Sequence, residues 1–145
     1  MPQTIPPDNI KSDWLARLSK LIDQIEPWAR QAGWSTRRID ASLSDSEIGN
    51  YKAPALLLQE NTTKMLLEPI ARSAPGADGV VDLYLMPAYD DLASLYFRDG
   101  TWLIHYIPSG FPPTGQLPEA DSRLLTSESF LQVLEAIKNH AHEQI

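Results

Sequence analysis

The sequence predicts an α+β fold: an N-terminal helix, an antiparallel meander sheet of about five to six strands, and a C-terminal helix. Three observations carry this. Apolar residues recur at steps of three and four only near the two ends of the chain. Between them they form short alternating or continuous blocks rich in Leu, Val, Ile and Tyr. Those blocks are joined by links too short for anything but antiparallel neighbours. At 145 residues the chain has room for one domain, and 43% hydrophobic residues suffice for its core.

The first nine residues hold three prolines and no apolar periodicity, so residues 1–11 are expected to be a flexible tail and 12–145 a single domain. Ser12 or Asp13 can cap a helix in which Trp14, Leu18, Leu21, Ile22, Ile25, Trp28 and Ala32 draw one apolar stripe. Pro27 predicts a kink or restart near Glu26, and Gly33 a helix end. The segment WSTRRID (34–40) reads as an edge strand, with Arg37 and Arg38 guarding against edge-to-edge pairing. The polar stretch 41–54 reads as a loop.

From Ala55 to Ile107 the meander strands are ALLLQE, TKMLLEPIA, VVDLYLM, LASLYFR and TWLIHYI. Their links, NT, RSAPGADG, PAYDD and DG, supply the Asn, Gly, Asp and Pro that reversals need. Residues 108–123 carry four of the twelve prolines and cross to a last helix. Thr126 or Ser127 caps it, and Phe130, Leu134, Ile137 and Ala141 form its apolar face, joined by Leu131 and Val133.

The net charge of −7, with TRR at 36–38 the only locally basic stretch, argues against a nucleic-acid surface. Without cysteine there is no disulfide, thiolate metal ligand or thiol nucleophile. The N-terminus lacks the pattern of a signal peptide and no apolar run is long enough to span a bilayer, so a soluble cytoplasmic protein with no membrane partner is expected. The sequon at Asn61 then marks a turn.

A two-residue Asp99-Gly100 loop fixes a hairpin register that puts Ser94 opposite His105 and Phe97 opposite Trp102. One face, Ala93, Leu95, Phe97, Trp102, Ile104 and Tyr106, is core. The other, Leu92, Ser94, Tyr96, Leu103, His105 and Ile107, is mixed. Extending the register across PAYDD puts Asp82, Tyr84 and Met86 on the mixed face, with Asp82 opposite Tyr96. Ser94, His105 and Asp82 thus share a face, but the serine strand lies between the other two, and the backbones of Asp82 and His105 are expected about 12 Å apart. A triad needs the imidazole in the middle, and a strand serine lacks the sharp turn of a nucleophile elbow. No catalytic residue is assigned.

Glu68 and Asp82 meet on the mixed face if the link between their strands keeps an even register. Paired carboxylates on neighbouring strands can hold a hard cation for phosphodiester hydrolysis. The arrangement resembles the nuclease fold with a proline-aspartate and an acid-x-lysine motif. It departs from it in having Tyr84 where the lysine belongs and in the order of Glu68-Pro69. No third ligand follows from the pattern, so no metal or other cofactor is assigned. His140 and His142 point in different directions on a helix, YDD at 89–91 suits a turn, and GADG at 76–79 does not open a helix as a phosphate loop would.

The mixed face is too apolar for bare solvent and too polar for a core. Either the two helices cover opposite faces of the sheet, or both pack on one side and leave an aromatic face for something else. The expected function is a small acidic protein-interaction module of the adaptor, chaperone or immunity type. It would bind a partner or its own copy through Tyr84, Tyr96, Leu103, His105 and Phe111, together with the 108–118 loop. The alternatives are a divalent-metal hydrolase using Glu68 and Asp82, and a small-ligand binding domain.

Overall fold

The computed structural model describes residues 7–88, 90–106 and 122–143, without the side chains of residues 7, 90–92 and 140–143. Residues 1–6, Tyr89, Ile107, Phe111 and the 108–118 segment fall outside the described residues, as do the side chains of Leu92, His140, Ala141 and His142. Helix α1 (Pro7–Gln31) is followed by strands β1 (Ser35–Asp45), β2 (Gly49–Glu60), β3 (Thr63–Ala71), β4 (Val80–Met86), β5 (Asp90–Arg98), β6 (Thr101–Tyr106) and β7 (Arg123–Leu124), and helix α2 (Ser127–Glu143) closes the chain. The strands form one antiparallel sheet in sequential order. The α+β architecture read from the sequence is the one observed.

Three local expectations need correction. The helix begins at Pro7 and not at Ser12, taking up part of the expected tail. Proline is well suited to a first helical turn and Asp8 complements its positive end, but that turn is too exposed to show apolar periodicity. The helix also runs through Pro27 without a restart. Its last turns are anchored from both sides: Thr36 and Arg38 hydrogen-bond the Glu26 carboxylate at 2.7 and 3.0 Å, and Trp28 packs on Phe130 with ring centroids 6.1 Å apart. Gly33, with φ 96°, ends it as expected, and the Trp34 amide closes back on the Ala29 carbonyl at 3.0 Å. Ala29 is fully buried and Ala32 exposed, which shifts the tail of the apolar stripe by one turn.

The third correction concerns residues 41–54, which form most of a β1–β2 hairpin whose pairing runs from Asp45↔Gly49 to Ser35↔Gln59. Their polar composition hid the strands, although burial alternates from Ile39 to Asp45 and from Tyr51 to Ala53 and changes phase only beyond Pro54. Tyr51 and Ala53 are buried at its start, Leu56 and Leu58 beyond Pro54, where β2 begins to pair with β3. Arg72 fastens the ribbon's turn, bonding Asp45 through Nε at 3.1 Å and Nη2 at 3.3 Å.

One core joins both helices to one face of the sheet. Trp14, Leu18, Leu21, Ile22 and Ile25 of α1 and Phe130, Leu134 and Ile137 of α2 pack with Leu56, Met65, Leu67, Leu83, Leu95 and Ile104. Thr126 caps α2: its Oγ1 accepts the Ser129 amide at 3.1 Å while Ser129 Oγ accepts the Thr126 amide at 2.8 Å. Asp99 and Gly100 form the two-residue turn between β5 and β6, both with positive φ as a type I′ hairpin requires. Both helices therefore lie on one side, and no helix among the described residues packs on the other. None of the described helices is long and apolar enough to cross a membrane.

Candidate functional site

The face turned away from the helices is built from registered rows. Arg37, Leu57, Leu66 and Tyr84 lie side by side on β1 to β4. Glu68, Asp82, Ser94 and His105 follow on β3 to β6. Val80, Tyr96, Leu103 and Leu124 form the next row on β4 to β7. Four of the five residues expected at the binding face, Tyr84, Tyr96, Leu103 and His105, are therefore on this one surface; Phe111 lies outside the described residues.

Asp82 faces Ser94, not Tyr96 as expected. Strand β5 takes up Asp90 and Asp91, and its pairing with β4 lies two residues from the expected one, with a further one-residue shift between Leu83 and Leu85. A two-residue slip keeps every side chain on its face, so Asp82, Ser94, Tyr96, Leu103 and His105 share the face expected of them, the pairing of Ser94 with His105 is the expected one, and only the row across β4 and β5 differs. Asp82 and His105 are consequently two strand spacings apart, about 10 Å between backbones.

The polar row splits into two networks. Asp82 accepts hydrogen bonds from Ser94 Oγ at 2.9 Å and from Tyr84 Oη at 3.0 Å. Burial pushes the Asp82 carboxyl above its usual value, and those two donors partly offset the shift. Beside it, Tyr96 Oη and Ser122 Oγ are hydrogen-bonded, and Ser122 Oγ stands 3.5 Å from His105 Nδ1, a loose contact. His105 is only 4% exposed, and its Nε2 is buried without a hydrogen-bond partner among the described residues. Such an atom is costly to bury unpaired.

This geometry does not make a nucleophile. The Ser94 proton is directed to Asp82, while the imidazole meets Ser122 through one nitrogen and no described group through the other. Glu68 and Asp82 are direct cross-strand partners, the even register the sequence reading required. Among the described residues, however, no three His, Asp or Glu side chains come together as a metal site. Ser122 is the member of this site that sequence reasoning missed. It ends a proline-rich crossing whose composition gives no hint that a hydroxyl will reach Tyr96.

The apolar row is exposed at both ends. Leu124, beside Leu103, is 56% exposed, and Ile70, in the bulge opposite Val80 and Val81, is 40% exposed; these are the two exposed large hydrophobics among the described residues. Comparison of the chain with protein-family models, curated proteins and solved structures gave no match.

Proposed function

We propose that this chain is a non-catalytic interaction module that binds a protein partner, or a second copy of itself, through the sheet face opposite its helices. The observation that carries this reading is the row from Ile70 through Val80, Tyr96 and Leu103 to Leu124, apolar and aromatic, with its exposed ends lying on one surface. It runs beside a buried imidazole nitrogen that no described group satisfies. Apolar and aromatic anchors around a few polar groups are the composition of interface centres. The proteins that would use such a small acidic module are adaptors, chaperones and immunity-type inhibitors.

The test replaces Leu103 with a photocrosslinking amino acid and, as a control, Lys20 on the exposed side of α1. A discrete adduct from position 103 alone, lost in Tyr96→Lys with the thermal melt retained, supports the reading. Sedimentation of the purified chain tells a second copy from another protein. Equal adducts from both positions, or none from position 103, would overturn it.

The hydrolase reading draws on the opposed pair Glu68 and Asp82. Asp82 already accepts two hydrogen bonds, which a cation would have to rearrange. Calorimetric titration with Mg²⁺ or Mn²⁺, giving a site that disappears in Asp82→Asn, is the result that would favour it.

A further inference from the structure

We infer that the far end of the outer face holds a site for a small amphipathic carboxylate, with Arg37 and Lys64 receiving the anionic head. A cavity of about 620 Å³ opens there, lined by Arg37, Leu57, Gln59, Lys64 and Met86 among others. Its volume is in the range of small-ligand sites, roughly 300–1,000 Å³. Register explains how it forms. Arg37 stands opposite Leu57 on β2, and Lys64 on β3 stands opposite Gln59 on one side and Met86 on the other. Two cations from different strands therefore flank an apolar floor made by Leu57 and Met86.

The chemistry of the occupant follows from what these cations lack. The chain has seven arginines. Arg30, Arg38 and Arg72 hold carboxylates, Arg17 and Arg98 hold backbone carbonyls, and Arg123 holds Gln132. Arg37 is the one arginine whose side chain makes no hydrogen bond or ion pair with any other described residue, and the Lys64 side chain makes none either. In a chain of net charge −7, two unpaired cations at one cavity are a local reversal of sign that favours an anion. Guanidinium and ammonium both suit a carboxylate, and the planar fork of Arg37 can take it through two parallel bonds. The floor of Leu57 and Met86 takes an alkyl or aryl body. Another cavity among the described residues, about 570 Å³ between α1 and the β5–β6 hairpin, lacks this pairing. Its Arg17 is spent on the Phe97 ring at 4.2 Å and the Asp78 carbonyl at 2.8 Å.

The site shares no residue with the Ile70 to Leu124 row, so it stands or falls apart from the interaction reading. The probe is decanoate, with decanol as its uncharged counterpart, each titrated into ¹⁵N-labelled protein. Saturable shifts from decanoate at the amides of Leu57, Gln59, Lys64 and Met86 are expected. Arg37→Gln with Lys64→Gln should weaken decanoate roughly tenfold or more, the effect of losing one charge-assisted bond. Decanol binding should stay the same. Both side chains are exposed, so the double variant should keep its melting temperature. Tyr96→Lys should leave decanoate binding intact. Equal decanoate affinity in the double variant, shifts centred on the α1 cavity, or no saturable binding would overturn the inference.

Discussion

Ser94 gives its hydroxyl proton to Asp82, 2.9 Å away, and so turns from His105, its direct partner on the next strand. The three side chains that could be mistaken for a hydrolytic triad are thereby ordered carboxylate, hydroxyl, imidazole. Hydroxyl-to-carboxylate bonding fixes Asp82 and leaves the Ser94 oxygen without an imidazole base among the described residues. A fluorophosphonate probe is expected to leave Ser94 unlabelled, and Ser94→Ala to label identically to the parent chain. Labelling of Ser94 that disappears in His105→Ala would show an activated hydroxyl and refute this.

Trp102 is 9% exposed and meets Phe97 edge to face at a centroid distance of 5.2 Å, as the turn at Asp99-Gly100 dictates. Trp102→Ala removes that contact together with packing against the core, and should cost about 3–5 kcal/mol in urea unfolding. A loss below about 1 kcal/mol would mean that the ring packs against little.

The hairpins were legible where chemistry is local. Asp99-Gly100 specifies its own turn, and from it the partners of Ser94 and Phe97 follow by counting. Legibility failed where packing at a distance decides. The step from Asp82 to Ser94 depends on how many residues of PAYDD join β5, which no turn signature fixes. The β1–β2 ribbon was lost because its alternation over 41–54 is carried by few apolar residues, Ala41, Leu43, Tyr51 and Ala53, set among polar and turn-forming ones. Which face the helices cover was open to the sequence because both alternatives leave α1 and α2 with the same apolar stripe. Arg37 read as an edge guard; that its side chain alone among the arginines has no partner among the described residues appears only once the hydrogen bonds and ion pairs of the others are known.

Asp45 and Arg72 form a pair that is mostly shielded, with side chains 13% and 20% exposed. The Arg72 hydrogen bonds, then the amides of Glu47 and Ile48, hold the Asp45 carboxyl below its usual value. A depressed carboxyl contributes fully above its unfolded value, about 3.9, and that contribution is lost as the pH falls through the lower, folded value. Asp82 has the opposite sign: its value is raised, so its ionisation lowers stability as the pH climbs from about 3.9 through the folded value. Asp45→Asn should cost about 1–3 kcal/mol at neutral pH and flatten the acid limb of the stability curve. Urea unfolding at intervals from about pH 2 to 7 separates the two windows. An acid limb as steep in Asp45→Asn as in the parent would refute the assignment.

Gly79 lies where the link into β4 passes over the indole of Trp14, and it is needed there for space and not for its dihedral freedom. A Cβ at this position would stand 2.7 Å from Trp14 Cζ3 and 3.2 Å from Cη2, closer than such atoms pack. The indole has no easy retreat, being 1% exposed and held by its Nε1 donating to Tyr51 Oη at 2.9 Å. The backbone has none either, because the Gly79 carbonyl accepts the Phe97 amide at 2.9 Å and the Asp78 amide bonds the Phe97 carbonyl at 2.7 Å. Gly79→Ala should therefore destabilise by about 1–3 kcal/mol, the usual cost of overpacking. Pairing it with Trp14→Phe, which removes the six-membered ring's far edge, should recover part of the loss, so the double variant should be more stable than the sum of the two single changes predicts. Calorimetric melts of the four proteins provide the measurement. Strict additivity would mean that the alanine methyl finds room elsewhere and that Trp14 does not set the requirement for glycine.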